Sequence, residues 1–238
     1  MRYEKGHVLE NPNGLTSRAI SFLGERATRV QWSRENLGGS ADFARAAAWF
    51  GVDVEGAVSR ASRICERFGG LRYRSDSWSF EEEIGFFPTL DFDEEDDEIM
   101  LALIEHTVAH PFGVWVSLDG VVYFMFPEAE GGEYVKVFGS VEGMIESDAL
   151  YAECMSWDVV GRGGFESLGE LRRRCLGLHL AEEVDGCGEA WFFGDGFRVH
   201  MWETWAKVFA RDDLSRWAVW SRDAAGRDNA ERFLQGLV

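Results

Sequence analysis

Lysine is almost missing from this chain: it occurs only at Lys5, Lys136 and Lys207, against twenty-one arginines. That skew reads as the mark of a GC-rich bacterial genome and not as function. Between Ser75 and Val135 neither cation occurs at all. The cysteines, Cys65, Cys154, Cys175 and Cys187, form no CxxC pair, which removes the spacing of a zinc ribbon or a thiol redox motif. Apolar runs such as Val121–Pro127 fall far short of the ~20 residues that a membrane-spanning helix needs. The N-terminus, Met1-Arg-Tyr-Glu-Lys-Gly-His, has no apolar signal core. These absences predict a cytoplasmic protein with reduced thiols and no membrane partner.

Acids fill the space that cations leave. Residues 75–135 hold sixteen aspartates and glutamates, and the chain as a whole has a formal net charge of −18. The first seventy-four residues carry a small positive excess and the last hundred or so a modest negative one, so the imbalance is local. A concentrated negative field attracts cationic partners and repels nucleic acid and anionic membranes. With a pI near 4.7 and no basic stripe, nucleic-acid binding is excluded as an expectation. The candidate partner-binding residues are therefore Trp78, Glu81, Glu82, Glu83, Asp91, Asp93, Glu94, Glu95, Asp96, Asp97 and Glu98. Phe80, Phe86 and Phe87 are further candidates for aromatic anchors beside them.

At 238 residues with 46% hydrophobic side chains and ten tryptophans, the chain is long and apolar enough for one large domain or two small ones. Thr16 or Ser17 can cap a first helix carrying Ile20, Phe22 and Leu23, and Ser40 a second with Phe43, Ala44, Ala47 and Ala48 on one side. The clearest helix is Asp53–Phe68. Asp53 is a good N-cap, and Val54, Ala57, Val58, Ala61, Ile64, Cys65 and Phe68 make one apolar stripe with Arg60, Arg63 and Arg67 opposite. Gly69 supplies a left-handed end, and Leu71-Arg-Tyr-Arg starts a strand.

The stretch Glu66-Arg-Phe-Gly-Gly-Leu-Arg-Tyr, after a helix with Ala61 and Ile64, resembles the helix–FGGL–strand signature of the SUKH superfamily. Leu118-Asp-Gly-Val-Val-Tyr followed by Gly139-Ser-Val-Glu-Gly-Met-Ile-Glu is similar to that family's ending. The resemblance covers about residues 41–155; it departs at Gly143-Met144-Ile145, where a larger side chain usually precedes the buried pair, and 156–238 lie outside it. It implies an α+β fold, a twisted, mostly antiparallel sheet flanked by helices. It also implies an immunity protein that neutralises a polymorphic toxin, or a regulatory interaction module, without a common catalytic site. The domain expectation is 1–155 as the SUKH-like unit and 156–238 as an α+β extension or small second domain.

Periodicity agrees on the fold class. Ser77–Phe87 reads as one strand or two short ones, and Asp93–Val108 as a helix with its acids at the positive end of the dipole. Phe112–Leu118 and Val121–Phe126 flank Asp119-Gly120, a two-residue hairpin signal. Tyr134–Phe138 is a third strand, and Ser140 caps a helix through Ala152. Gly161–Gly164 reads as a linker between the two parts. Phe165–Leu180 is a helix with Leu168, Leu171, Cys175, Leu178 and His179 inward, Ala190–Phe193 and Phe197–Trp202 a hairpin, Arg216–Ser221 a strand and Ala224–Leu237 the last helix. Trp115-Val-Ser-Leu-Asp-Gly and Trp191-Phe-Phe-Gly-Asp-Gly open the same order of elements, which convergence of hairpins explains better than a repeat.

The chemistry-bearing patterns are thin. His106 and His110 follow Glu105 in the order EH-x-x-x-H, which leaves the glutamate outside the general-base position of a metalloprotease helix. Asp91-Phe-Asp-Glu-Glu-Asp-Asp-Glu has no central glycine and does not scan as a calcium loop. Arg172-Arg173-Arg174 reads as a solvated face, and Trp202, Trp205, Trp217 and Trp220 as core. Cys65 sits on an apolar stripe and Cys187 in an acidic setting, neither of which activates a thiol. The sequence thus points to a protein without catalytic residues, metal or cofactor. It would bind the basic active-site face of a cognate toxin domain; a scaffold without a toxin is the rival, and a neighbouring toxin gene separates the two.

Overall fold

The structure is a computed structural model that describes residues 6–77, 83–91, 98–105, 113–125, 134–184, 186–202 and 216–235. Trp78, Phe80, Glu81, Glu82, Asp93–Asp97, His106, His110 and Trp205 lie outside the described residues. The architecture is α+β: a seven-stranded and a five-stranded sheet, with helices between and beyond them.

Helix α1 (Ser17–Arg26) is capped by the Thr16 hydroxyl, which accepts from the Ala19 N–H. Helix α2 is Ser40–Phe50, and it buries Phe43, Ala46 and Ala47; Ala44 and Ala48 are exposed, so the expected stripe is rotated. Helix α3 (Val54–Phe68) starts as the sequence predicts, with Asp53 accepting from the Gly56 N–H at 2.6 Å. Two of its details differ. Gly70, at φ +81°, and not Gly69, takes the left-handed conformation. Arg67 is fully buried and not on the solvent side: its guanidinium donates to the carbonyls of Asn11 and Asn13 and to Glu142, and so holds the lead-in segment onto α3.

The first sheet runs in chain order as a continuous antiparallel meander. Its strands are β1 (Ala27–Arg29), β2 (Leu71–Tyr73), β3 (Ile84–Asp91), β4 (Met100–Glu105), β5 (Gly113–Ser117), β6 (Val122–Met125) and β7 (Tyr134–Phe138). Strand β4 corrects the helix expected over Asp93–Val108. Ile99, Met100, Leu103 and Ile104 recur at a helical interval, but a short apolar run satisfies both periods, and here pairing decides. Leu101 faces Leu90 on one side and Val116 on the other, so the segment is a central strand. The β5–β6 turn holds three residues and not two, because the Ser117 N–H donates to the Val121 carbonyl and Gly120 takes φ +90°.

Helix α4 (Val141–Cys154), capped by Ser140, lies between the sheets and is buried nearly all round, including Glu146, Ser147 and Asp148. The second sheet has the order β8-β12-β11-β10-β9. Here β8 is Asp158–Gly163, β9 His179–Leu180, β10 Glu189–Gly194, β11 Phe197–Trp202 and β12 Trp217–Ser221. The expected linker is thus largely strand β8, paired through Gly163 with Trp217. Its glycines have a packing reason: a Cβ at Gly163 would overlap the Trp217 indole, and one at Gly161 would stand 2.8 Å from Leu234. Helix α5 (Phe165–Cys175) stops five residues short of expectation, with Leu168, Leu171 and Cys175 buried; His179 leaves it for β9 and is exposed. Helix α6 (Ala224–Leu234) is capped by Asp223.

The second sheet is buried on both faces. Val199, Met201, Trp217 and Val219 pack with Leu168, Leu171 and Ala230 of α5 and α6. Trp191, Trp202, Ala218 and Trp220 join the core of the first sheet through Tyr151. Sheet, helix, sheet and helix are therefore stacked in four layers. The turn Asp195-Gly196 closes β10 onto β11 with two residues, one fewer than in the β5–β6 hairpin, so the similar hairpins differ in detail.

The buried polar groups of α4 generate a stability prediction. The Tyr73 hydroxyl donates to Asp148 at 2.8 Å, and Ser77 donates to the same carboxylate. In Asp148→Ala both hydroxyls lose a buried acceptor, so urea unfolding should show a loss of about 1–3 kcal/mol. Glu183→Ala, at a part-exposed carboxylate, should cost about 1 kcal/mol at most. Equal midpoints for the two variants would refute the tether.

Candidate functional site

One broad face of the molecule is left uncovered by any described helix: the outward face of the first sheet. Alternation along the strands fixes it. Val114 and Val116, Val122 and Phe124, Leu101 and Leu103 point into the core. Trp115, Tyr123 and Ala102 between them point outward and are only partly buried. Register then aligns Thr89, Ala102, Trp115, Tyr123 and Lys136 in one row across five strands.

Two of the predicted acids hold this row. The Trp115 indole N–H donates to Asp91 Oδ2 at 2.8 Å. The Tyr123 hydroxyl donates to Glu98 Oε1 at 2.9 Å. The indole lies flat over Gly113, where a Cβ would overlap the ring, and Tyr134 meets it edge-on at 5.3 Å and 81°. Sequence reasoning missed Trp115, Tyr123 and Tyr134. The signal was present in Gly-Val-Trp-Val-Ser and Val-Tyr-Phe-Met, where large aromatics occupy the phase opposite to the core valines.

The acids are less uniform than their spacing suggests. Glu83 pairs with Arg72 at 3.6 Å, Asp119 with Arg60 at 3.0 Å, and Asp76 with Arg26. Three of the five acids of residues 75–135 with described side chains thus find arginines from the preceding part of the chain. Glu83 precedes the 8-residue strand β3 and Asp91 ends it, which separates the two by roughly 25 Å. That exceeds the Debye length of about 8 Å at physiological salt, so the two acidic ends act separately. Asp91, Glu98 and Asp119 share the end at which β3 leaves and β4 begins. Of the expected aromatic anchors, Phe86 is fully buried in the core and Phe87 is half-buried against Trp32.

Ser147, Glu189 and His200 touch, yet the serine donates to the glutamate, which also meets His200 Nε2 at 2.8 Å. A nucleophile needs its base, and here the carboxylate stands between them. All three are buried, with Trp191 stacked on His200 at 4.0 Å, so they form a structural network. Cys65, Cys154 and Cys175 are buried, and burial pushes each thiol up, Cys175 to about 12. A cavity of about 680 Å³ between β8, α5 and α6 is floored by Trp217, Val160 and Leu234 and presents no paired nucleophile and base. Among the described residues no group of three or more His, Cys, Asp or Glu side chains is placed to hold a metal ion. Nor is any described helix long and apolar enough to cross a membrane.

Comparison with protein-family models, with curated proteins and with solved structures finds no match for this chain.

The flat indole yields a local prediction. Gly113→Ala places a methyl group under the Trp115 ring, which must lift and release Asp91. The Trp115 indole N–H resonance should move to a solvent-exposed position, at a cost of about 1 kcal/mol. An unchanged resonance would show that the glycine does not set the ring's pose.

Proposed function

We propose that the chain is a SUKH-like immunity protein of the bacterial cytoplasm. It binds one cognate toxin domain and acts by occlusion, without catalysis, metal or cofactor. The observation that carries this reading is the open aromatic row of the first sheet with Asp91 and Glu98 moored to it. Tryptophan and tyrosine supply large contact area at low entropic cost and are enriched where binding energy concentrates. The acids at the Asp91–Glu98 end give the surface a sign. A toxin that cuts nucleic acid has a cationic groove, and carboxylates can occupy that groove in place of phosphate. Opposite fields also speed encounter and select the partner. The Ser75–Val135 segment keeps its negative excess even after Arg26, Arg60 and Arg72 are counted against it.

Capture from the native host, identification of the bound chain and assay of its activity test the proposal. The expected result is a basic toxin domain silenced at one-to-one stoichiometry. A bound chain that stays active at saturation overturns occlusion. Neutralising Asp93–Asp97 to Asn and Gln should lower k_on and flatten its salt dependence, since rim charges act mainly on association. Folding stability should change by no more than about 0.5 kcal/mol. The control is Arg173→Ala, an exposed residue of α5 paired with Glu170, which should leave k_on unchanged. Arg174 would be a poor control because it donates to the carbonyls of Phe233 and Gln235 at the end of α6. An unaltered rate and salt slope in the neutralised variant would reduce the run to a solvated face.

A further inference from the structure

The geometry points to the corner formed by Trp115, Tyr134 and Asp91 as the seat of one arginine side chain of a protein partner. The inference rests on the reading of this face as a protein-binding surface and names the group that it takes.

Three features converge there. The indole lies flat because Gly113 has no Cβ to lift it, so a planar surface is presented along the strand. Tyr134 stands at 81° to that surface with its ring centre 5.3 Å away, which closes the corner on one side. Asp91 is exposed and fixed at the ring's edge by the 2.8 Å bond from Nε1. A carboxylate has about four acceptor positions, of which the indole uses one.

A guanidinium suits this shape better than an ammonium. It is planar, weakly hydrated and able to stack on a ring while its N–H groups reach a carboxylate in or near its plane. Tryptophan gives the strongest cation–π face, and a ring already hydrogen-bonded to an anion is more electron-rich still. Among the described residues, two cations share the face. Arg72 is paired with Glu83 at the opposite end of β3. Lys136 lies two strands from Trp115, roughly 10 Å along the row, beside Tyr123. Neither stands at the Asp91 edge of the indole.

The test uses the full chain, isotope-labelled, titrated at low salt with blocked Gly-Arg-Gly peptide, and with Gly-Lys-Gly and Gly-Gln-Gly for comparison. The expected result is a saturable shift of the Trp115 indole N–H and Tyr134 ring resonances with the arginine peptide. The lysine peptide should bind several-fold more weakly and the glutamine peptide should produce no shift. Asp91→Asn preserves size and Trp115→Phe keeps an aromatic ring at a part-exposed position, so both should fold; the first should weaken the arginine peptide about tenfold, and the second measurably less. No shift at Trp115, or equal shifts with the arginine and glutamine peptides, overturns the seat. Such a failure leaves the immunity reading standing if host-partner capture still depends on Asp93–Asp97. Conversely, a seated arginine peptide with a captured partner that stays active upholds the seat and removes the immunity reading.

Discussion

Three consecutive polar side chains in the middle of a buried helix set the constraint on which this structure depends. A helix turns about 100° per residue, so Glu146, Ser147 and Asp148 of α4 leave it in three directions. Each would cost several kcal/mol if buried without a partner. Glu146 accepts from the Thr16 N–H and hydroxyl and from Arg18, which seats the start of α1. Ser147 donates to Glu189 and accepts from the Trp191 indole, which fixes the second sheet. Asp148 takes the hydroxyls of Tyr73 and Ser77 and so holds the first sheet. Apolar packing brings these layers together without direction; the three polar side chains give them one register.

The same logic explains how so lopsided a charge distribution is tolerated. Along the chain the acidic segment has no cation, but folding brings Arg26, Arg60 and Arg72 to it from α1, α3 and β2. Each exposed pair contributes little on its own, about 0–1 kcal/mol. Their effect is on where the field remains. Among the described residues, Glu83 and Asp119 pair with arginines, whereas Asp91 and Glu98 are bonded to neutral rings.

Capped helices were the legible part of the sequence, because a cap and a period are local. Thr16, Asp53 and Ser140 cap first turns as the sequence predicts, whereas Ser40 is the first residue of α2, and Gly39 precedes it without a side-chain cap. Elements decided by distant partners were not legible. Strand β4 carries a spacing that a helix also accepts, and only its position between β3 and β5 resolves the choice. Gly161 and Gly163 read as part of a linker, yet they are the floor on which Trp217 and Leu234 rest. Arg67 falls on the polar side of α3 by period, but it is covered by a lead-in segment that it itself holds in place. For the candidate site, the acids were legible as composition and the outward aromatics were not, since a tryptophan amid valines looks like core until register shows which way it points.

The two sheets differ in one respect that bears on recognition. The second is covered on both faces, and all five residues of β12 are buried. Its tryptophans are therefore committed to packing. Among the described residues the first is covered on one face only, and an antiparallel sheet with a free face ordinarily turns small polar or charged side chains outward. Here the free face turns out an indole and two phenols, each a large apolar area left partly in water. Two of the three have their polar atoms bonded to carboxylates, which restricts ring rotation before any partner arrives. A surface that has already lost that freedom loses less on binding, so the same contacts yield more affinity. The hydrogen bonds from Trp115 to Asp91 and from Tyr123 to Glu98 thus have a consequence beyond stability: they preorganise aromatic area and anionic charge in one fixed arrangement on the open side of the first sheet.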